Sequence, residues 1–113
     1  LGVDPYGFSK QALIVYTMSN AAQLALKGIR INCIAPSPTA TAFMDQLTKE
    51  FPAEAMNVFC PSIGRFAEPS EMAEPLVLLN SKLASFVSGV NLAVDFGYCA
   101  EVAMGQRDNL LGI

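Results

Sequence analysis

The chain has 113 residues, enough for one domain with a modest hydrophobic core. Hydrophobic residues make up 52% of it and charged residues 15%, so it is more apolar than an average soluble domain, as expected of a piece of a larger body. The net charge of −3, with no basic run, argues against nucleic acid or an anionic lipid surface as a partner.

The titratable and sulfur-containing residues exclude several kinds of site. The three cysteines, Cys33, Cys60 and Cys99, lack Cys-x-x-Cys spacing, and the chain has no histidine. We therefore predict no metal site and no disulfide scaffold, and Ser-His and Cys-His catalysis are excluded. Apolar runs such as Ala12 to Val15 are far too short to span a bilayer, and no signal-peptide pattern opens the chain. We expect a cytoplasmic protein without a membrane segment.

A long helix is predicted from about residue 5 to residue 27. Asp4 offers an acceptor side chain at the N-cap, and Pro5 suits the first helical position because its missing N–H has no partner there. Gly28 would supply the left-handed residue after the last turn. Apolar residues lie on more than one face of this helix, so we expect it to be buried on two sides.

The first turns of this helix read Tyr6-Gly7-Phe8-Ser9-Lys10. Residues four apart lie on the same helical face, so the phenol and the ammonium should be neighbours. A fixed cation favours a phenolate and can lower the pKa of a phenol, ordinarily about 10, by about 1–3 units, which suits general acid–base chemistry. A Tyr-Lys pair on a helix surface is also common, so this motif alone is weak.

The next predicted element is a short apolar strand, Ile29 to Ala35, of the kind that helices cover on both faces. The Pro/Ser/Thr-rich stretch from Pro36 to Ala42 leaves the carboxyl end of that strand, where ligands bind in open α/β sheets. It is equally compatible with an ordinary turn between a strand and a helix. The segment from Phe43 to Ile63 is amphipathic but uneven, which is typical of a lid or of a surface helix.

A second helix is predicted from Pro69 to about Asn80, with Pro75 still in reach of its first turn. We expect five apolar side chains of this helix to face inward: Met72, Ala73, Leu76, Val77 and Leu79. A second strand is predicted at Asn91 to Val94, parallel to the first strand and next to it, because strand, helix and strand form a crossover unit. Residues 98–113 show no clear period and are predicted to be a tail.

Four blocks of this sequence, in order and spacing, resemble the C-terminal half of the short-chain dehydrogenase/reductase family. They are Tyr6 to Lys10 heading a helix, Arg30-Ile31-Asn32-Cys33-Ile34-Ala35-Pro36, Gly64-Arg65-Phe66-Ala67-Glu68-Pro69-Ser70-Glu71-Met72-Ala73, and Ala84 to Gly89 followed by Val94-Asp95-Phe96-Gly97. Residues Ala67 to Ala73 resemble most the branch of bacterial 3α-hydroxysteroid dehydrogenases and carbonyl reductases. The resemblance implies an α/β fold, the C-terminal portion of a Rossmann-like, doubly wound parallel sheet, with residues 1–113 as part of one domain.

The resemblance also implies roles for individual residues. Tyr6 would be the catalytic acid/base, and Lys10 would support it and hold the nicotinamide ribose of NAD or NADP. Other cofactor-binding residues would be those of the loop after the first strand: Pro36, Ser37, Thr39 and Thr41. The segment from Phe43 to Ile63, which is variable in the family, would bind an apolar substrate through Met44, Leu47, Met56 and Phe59.

Two departures from the family pattern are visible, since Ser37 and Phe96 each replace a usual glycine. The glycine-rich turn, the ribose-reading residue and the catalytic serine of the family are not among these residues. The resemblance implies hydride transfer between nicotinamide and a secondary alcohol or ketone, with a hydroxysteroid as one candidate, in a homo-oligomer (dimer or tetramer). The isolated chain should be inactive. The alternative is a non-catalytic α/β module that associates with itself.

Overall fold

A computed structural model describes residues 4–50, 52 and 57–108 of the chain. Its elements are α1 (Pro5–Ala25), β1 (Cys33–Pro36), α2 (Ala42–Glu50), α3 (Pro69–Asn80), a 3₁₀ turn (Lys82–Ala84), β2 (Asn91–Val94) and α4 (Tyr98–Ala103). Helices and parallel strands occur together, so the predicted α/β class is confirmed.

Helix α1 begins where the sequence predicts. The Asp4 carboxylate accepts hydrogen bonds from the backbone N–H groups of Tyr6 (3.2 Å) and Gly7 (2.8 Å), and Pro5 takes the first helical position. The helix ends at Ala25, two residues before the predicted boundary, and Gly28 follows with a φ of 69°, the left-handed conformation expected of it. Capping and glycine chemistry therefore set both ends of this helix.

The sheet formed by the described residues has two strands, β1 beside β2. The N–H of Cys33 donates to the carbonyl of Val90, and the N–H of Ser37 donates to that of Val94. From the first bond to the second, the two strands advance by the same number of residues in the same direction, which is the register of parallel strands. Strand β2 has the predicted bounds.

Strand β1 is shorter than predicted. The prediction began the strand at residue 29, whereas residues 29–32 lie outside it in the structure. The N–H of Ile31 bonds the hydroxyl of Ser88 (3.2 Å). The Asn32 side chain donates to the carbonyl of Val87 (2.9 Å) and accepts from the N–H of Val90 (3.2 Å). Side chains therefore supply most of the bonds at this point, beside one backbone bond from the N–H of Gly89 to the carbonyl of Ile31 (2.7 Å). Hydrophobic patterning does not reveal such side-chain bonds.

The residues form two compact units, and the first comprises residues up to 34 together with residues 77–92. In this unit the guanidinium of Arg30 donates to the carbonyls of Leu79 (2.6 Å), Ser81 (3.4 Å) and Val87 (3.3 Å). Arg30 thus binds the carboxyl end of α3, where a helix leaves carbonyls unpaired and favours a positive charge. Leu79 and Ala84 are buried here.

The expectation that α1 is buried on two sides is wrong. Helix α1 buries only Thr17, whereas Leu13 (55% exposed), Val15 and Met18 remain open to solvent. The described residues do not supply a second cover for a helix that is apolar on several faces. Its apolar side chains are therefore available to another surface.

Helix α3 has the predicted bounds, but fewer of its residues face inward than predicted. Leu79 is buried and Met72 half-buried, while Ala73, Leu76 and Val77 are exposed. Pro75 lies beyond the first turn, contrary to the prediction. A proline there lacks the N–H of the ordinary helical bond, so neighbouring contacts must compensate for it.

The second unit comprises residues 35–76 together with the chain from residue 93 onward. The predicted tail is wrong here, because Tyr98–Ala103 form helix α4 and Tyr98 is buried. The Asp95 carboxylate accepts hydrogen bonds from the N–H groups of Gly97 (3.0 Å) and Cys99 (2.9 Å) and so starts this short helix. Within the described residues, no helix has the length and apolar character needed to cross a membrane.

Candidate functional site

The predicted acid–base pair lies on the first turns of α1. The ammonium of Lys10 sits 5.0 Å from the centre of the Tyr6 ring, within the range of a cation–π contact. Both side chains are exposed, Tyr6 to 70%. The pair belongs to the first unit and is reachable by a small molecule from solvent.

Gly7 leaves room for the Asp4 carboxylate at the start of α1, beside the backbone of Tyr6. A Cβ atom at position 7 would lie 2.7 Å from Oδ2 of Asp4, so the carboxylate would have to shift to make room for it. The absence of a side chain at Gly7 therefore lets the carboxylate reach the first N–H groups of α1. The cap fixes the backbone that carries Tyr6.

The predicted cofactor loop lies in the second unit and leaves the carboxyl end of β1. The hydroxyl of Thr39 donates to the carbonyl of Ser37 (2.9 Å), so its proton is already used. The hydroxyl of Thr41 accepts from the N–H of Met44 (3.3 Å) at the start of α2. An accepting hydroxyl still has its own proton to donate, so Thr41 is the better side-chain donor of the two.

A pocket of about 200 Å³ opens beside this loop in the second unit. It brings together three residues predicted from sequence, Pro36, Ser37 and Phe59. The rest of its described lining is Ala35, Pro38, Asp95, Tyr98 and Cys99. The pocket is mainly apolar with one carboxylate, the composition usual for a small-molecule site, and it is smaller than sites for drug-sized ligands.

The other predicted substrate residues lie elsewhere. Met44 and Leu47 are half-buried on α2 and are not among the described residues that line this pocket. Met56 lies outside the described residues. The structure therefore joins one of the four predicted substrate residues, Phe59, to the loop.

The sequence reasoning missed the polar side of the pocket, which Asp95 and Cys99 form. Partial burial raises the pKa of the Asp95 carboxyl, but hydrogen bonds from the Cys99 thiol and from the N–H groups of Cys99 and Gly97 outweigh it and hold the pKa below its ordinary value. Burial and the hydrogen bond to Asp95 raise the pKa of the Cys99 thiol to about 11. The carboxylate is therefore charged and the thiol protonated at neutral pH, which makes this cysteine a poor nucleophile. The signal was the Asp95-x-Gly97 pair, because an aspartate side chain commonly accepts from the N–H two residues on in a turn.

The two departures from the family pattern have different consequences. The backbone at Ser37 lies outside the left-handed region, so a side chain fits there without strain. Phe96 has a φ of 49°, the left-handed conformation that glycine adopts easily and other residues adopt at a cost of about 1–2 kcal/mol. Its ring is 71% exposed, so little burial offsets that cost.

Comparison with known proteins assigns the chain to a family. A family profile described as enoyl-(acyl carrier protein) reductase matches residues 2–99. Among curated proteins, the 3-alpha-hydroxysteroid dehydrogenase/carbonyl reductase of Comamonas testosteroni is 40% identical over 93 residues, which cover 81% of this chain and 36% of that protein. The cyclopentanol dehydrogenase of a Comamonas strain is 37% identical over 100 residues, covering 88% of this chain and 40% of that protein. The chain belongs to the short-chain dehydrogenase/reductase family.

A solved structure extends the likeness to the fold. The chain superposes on a candidate NAD(P)-dependent gluconate 5-dehydrogenase from Beutenbergia cavernae, which holds NADP at low occupancy, with a TM-score of 0.75 and 36% identity. The match covers 84% of this chain and 38% of that one. The chain thus spans well under half the length of these relatives. The predicted family is confirmed, and the chain matches a part of its members and not their whole length.

Proposed function

We propose that this chain is the C-terminal part of an NAD(P)-dependent oxidoreductase that transfers a hydride between nicotinamide and a secondary alcohol or ketone. The observation that carries this proposal is the contact of Tyr6 and Lys10, 5.0 Å apart and exposed on the first turns of α1, in a chain of this family. We also propose that residues 1–113 are part of one Rossmann-like domain of that enzyme.

In this proposal Tyr6 exchanges a proton with the substrate oxygen. The phenol gives its proton to a carbonyl oxygen during reduction and takes it from a hydroxyl during oxidation. Lys10 places a positive charge against the face of the Tyr6 ring, 5.0 Å from its centre. The Asp4 cap holds the helix start that carries Tyr6, so the phenol keeps its position while the proton moves.

The residues present fit the nicotinamide end of NAD or NADP. Pro36 is exposed at the end of β1, and the Thr41 hydroxyl has a proton to donate to a carboxamide or pyrophosphate oxygen. The Thr39 hydroxyl proton is engaged with Ser37, so Thr39 would contribute its backbone. Lys10 would bind the nicotinamide ribose. When bound, the cofactor supplies or accepts the hydride.

We propose that the substrate is an apolar secondary alcohol or ketone. Phe59 lines the pocket beside the loop, and Met44, Leu47 and Met56 come from the same variable segment of the sequence. A hydroxysteroid is one candidate, since a curated relative is a 3-alpha-hydroxysteroid dehydrogenase/carbonyl reductase. Cyclopentanol is a second candidate on the same ground.

The test is Tyr6→Phe in the full-length gene product that contains this segment, assayed with NAD and NADP and a panel including a 3α-hydroxysteroid and cyclopentanol. We expect kcat to fall by at least about 100-fold, the usual contribution of a general acid–base group, with cofactor binding unchanged. The matched control is Tyr16→Phe, which removes the same hydroxyl from an exposed tyrosine of the same helix. Near-parental kcat in Tyr6→Phe would remove Tyr6 from its proposed role.

A second candidate function is favoured by the exposed apolar side chains of α1. Leu13, Val15 and Met18 on this helix suit a contact with another copy of the chain, so a non-catalytic, self-associating module remains an alternative. Without the residues that bind adenine and pyrophosphate, the isolated chain should be inactive. The enzyme is favoured if the natural gene product is much longer than this chain and oxidises alcohols as a cytoplasmic homo-oligomer. The non-catalytic module is favoured if the short chain alone forms an inactive oligomer.

A further inference from the structure

A cluster at the carboxyl end of the described chain lies outside the proposed catalytic and cofactor-binding residues. The guanidinium of Arg107 pairs with the carboxylate of Glu101 at 2.8 Å, and its carbon lies 4.7 Å from the centre of the Tyr98 ring. Only about a fifth of each charged side chain is exposed, 22% for Arg107 and 19% for Glu101. Charge-assisted bonds shielded from water are stronger than exposed ones.

This cluster binds one short segment of the chain at two points. The carbonyl of Val58 accepts from the Tyr98 hydroxyl (3.1 Å) and from Arg107 (3.4 Å). The hydroxyl of Ser62 accepts from Arg107 (3.4 Å), and the Glu101 carboxylate accepts from the Ser62 side chain and backbone. The run between these two points is therefore fixed at both ends to α4 and the residues just after it.

Phe59 lies inside that run and forms one wall of the 200 Å³ pocket. Tyr98, which carries the Arg107 stack, forms another part of the same lining. All these residues belong to the second unit. Arg107 and Glu101 are not among the described residues that line the pocket, so they are connected to its shape only through Tyr98 and the fixed run.

We propose that Arg107 is a positioning residue that holds the segment from Val58 to Ser62, and with it the Phe59 wall of the substrate pocket. The inference rests on the proposed function and deepens it, since it makes substrate affinity depend on a residue outside the pocket. Arginine suits the task because its planar fork can stack on Tyr98, pair with Glu101 and donate to two further oxygens at once.

The test compares three variants of the full-length protein. Arg107→Met keeps a long apolar side chain but removes the charge and the donors, and Arg107→Lys keeps the charge without the fork. Arg65→Met is the matched control, because Arg65 pairs with Glu71 at 2.7 Å on the surface of the same unit without contacting Val58 or Ser62.

The first measurement is hydrogen exchange at the amides of Cys60 and Gly64, whose bonds to Asn57 and Pro61 depend on an ordered segment. We expect exchange about tenfold faster in Arg107→Met, an intermediate rate in Arg107→Lys and no change in Arg65→Met. Unchanged exchange in Arg107→Met would overturn the proposal.

The second measurement is steady-state kinetics with the alcohol that the parent oxidises. We expect the substrate KM of Arg107→Met to rise about tenfold while kcat and the cofactor KM stay within about twofold. The variant would weaken substrate binding equally in the ground state and the transition state, which raises KM and leaves kcat unchanged. Faster exchange with an unchanged substrate KM would refute the link to the pocket. A parent that oxidises no alcohol would refute the proposed function, while the exchange comparison would still decide whether Arg107 holds the segment.

Discussion

Helices α1 and α4 differ in a way that their lengths do not suggest. Helix α1 has 21 residues and buries one of them, Thr17, whereas α4 has six residues and buries Tyr98 to 5% exposure. Helix α1 is long and capped, whereas a helix as short as α4 is marginal without contacts from elsewhere. The comparison indicates that α4 depends more on buried tertiary contacts than α1 does.

The largest expected effect follows from the buried tyrosine. Tyr98→Ala should lower the free energy of unfolding by about 3 kcal/mol, since it removes a buried ring together with its stack on Arg107 and its hydrogen bond to Val58. Tyr16→Ala on α1, where the ring is 61% exposed, should change it by less than about 0.5 kcal/mol. Urea denaturation of both variants measures the difference. Equal losses would mean that α1 and α4 depend on tertiary contacts alike.

A smaller effect is expected where the chain enters α4. Phe96 holds a left-handed backbone just before this helix, whereas α1 starts from Asp4 with an ordinary extended backbone. Phe96→Gly should be about 1 kcal/mol more stable than Phe96→Ala, because only glycine relieves the strain. Both variants lose the same exposed ring, so the alanine variant is the control in thermal unfolding. Identical midpoints would show that the φ of residue 96 stores no strain.

What the sequence predicted well depended on neighbouring residues. The start of α1, the bounds of α3 and β2, and the approach of Tyr6 to Lys10 all follow from caps, periodicity and spacing along a helix. Strand β1 was predicted to start too early because Asn32 bonds the backbone at positions 87 and 90, far away in sequence. Such bonds from side chains to a distant backbone leave no mark on the hydrophobic pattern.

In the candidate site too, features set by residues near in sequence were predicted and features set by distant contacts were missed. Pro36, Ser37 and Phe59 were predicted as ligand contacts and line one pocket, whereas Thr39 and Thr41 are not among its described lining. Asp95 and Tyr98 were missed because the stretch after β2 lacks a helical period. Tyr98 is placed by its bond to Val58 and by Arg107, and these contacts exist only after the chain has folded. A distant partner can define an element that propensity alone would leave irregular.

The close approach of Gly7 to the Asp4 carboxylate makes these two positions energetically coupled. Alanine normally favours a helix over glycine by about 0.5–1 kcal/mol, yet at position 7 its methyl group would displace the carboxylate that caps α1. Gly7→Ala should therefore destabilise the native chain and stabilise the Asp4→Ala chain. The effect of Gly7→Ala on the free energy of unfolding thus changes sign when Asp4 is replaced, so the two substitutions are not additive. A double-mutant cycle of the native chain, the two single variants and the double variant measures the coupling.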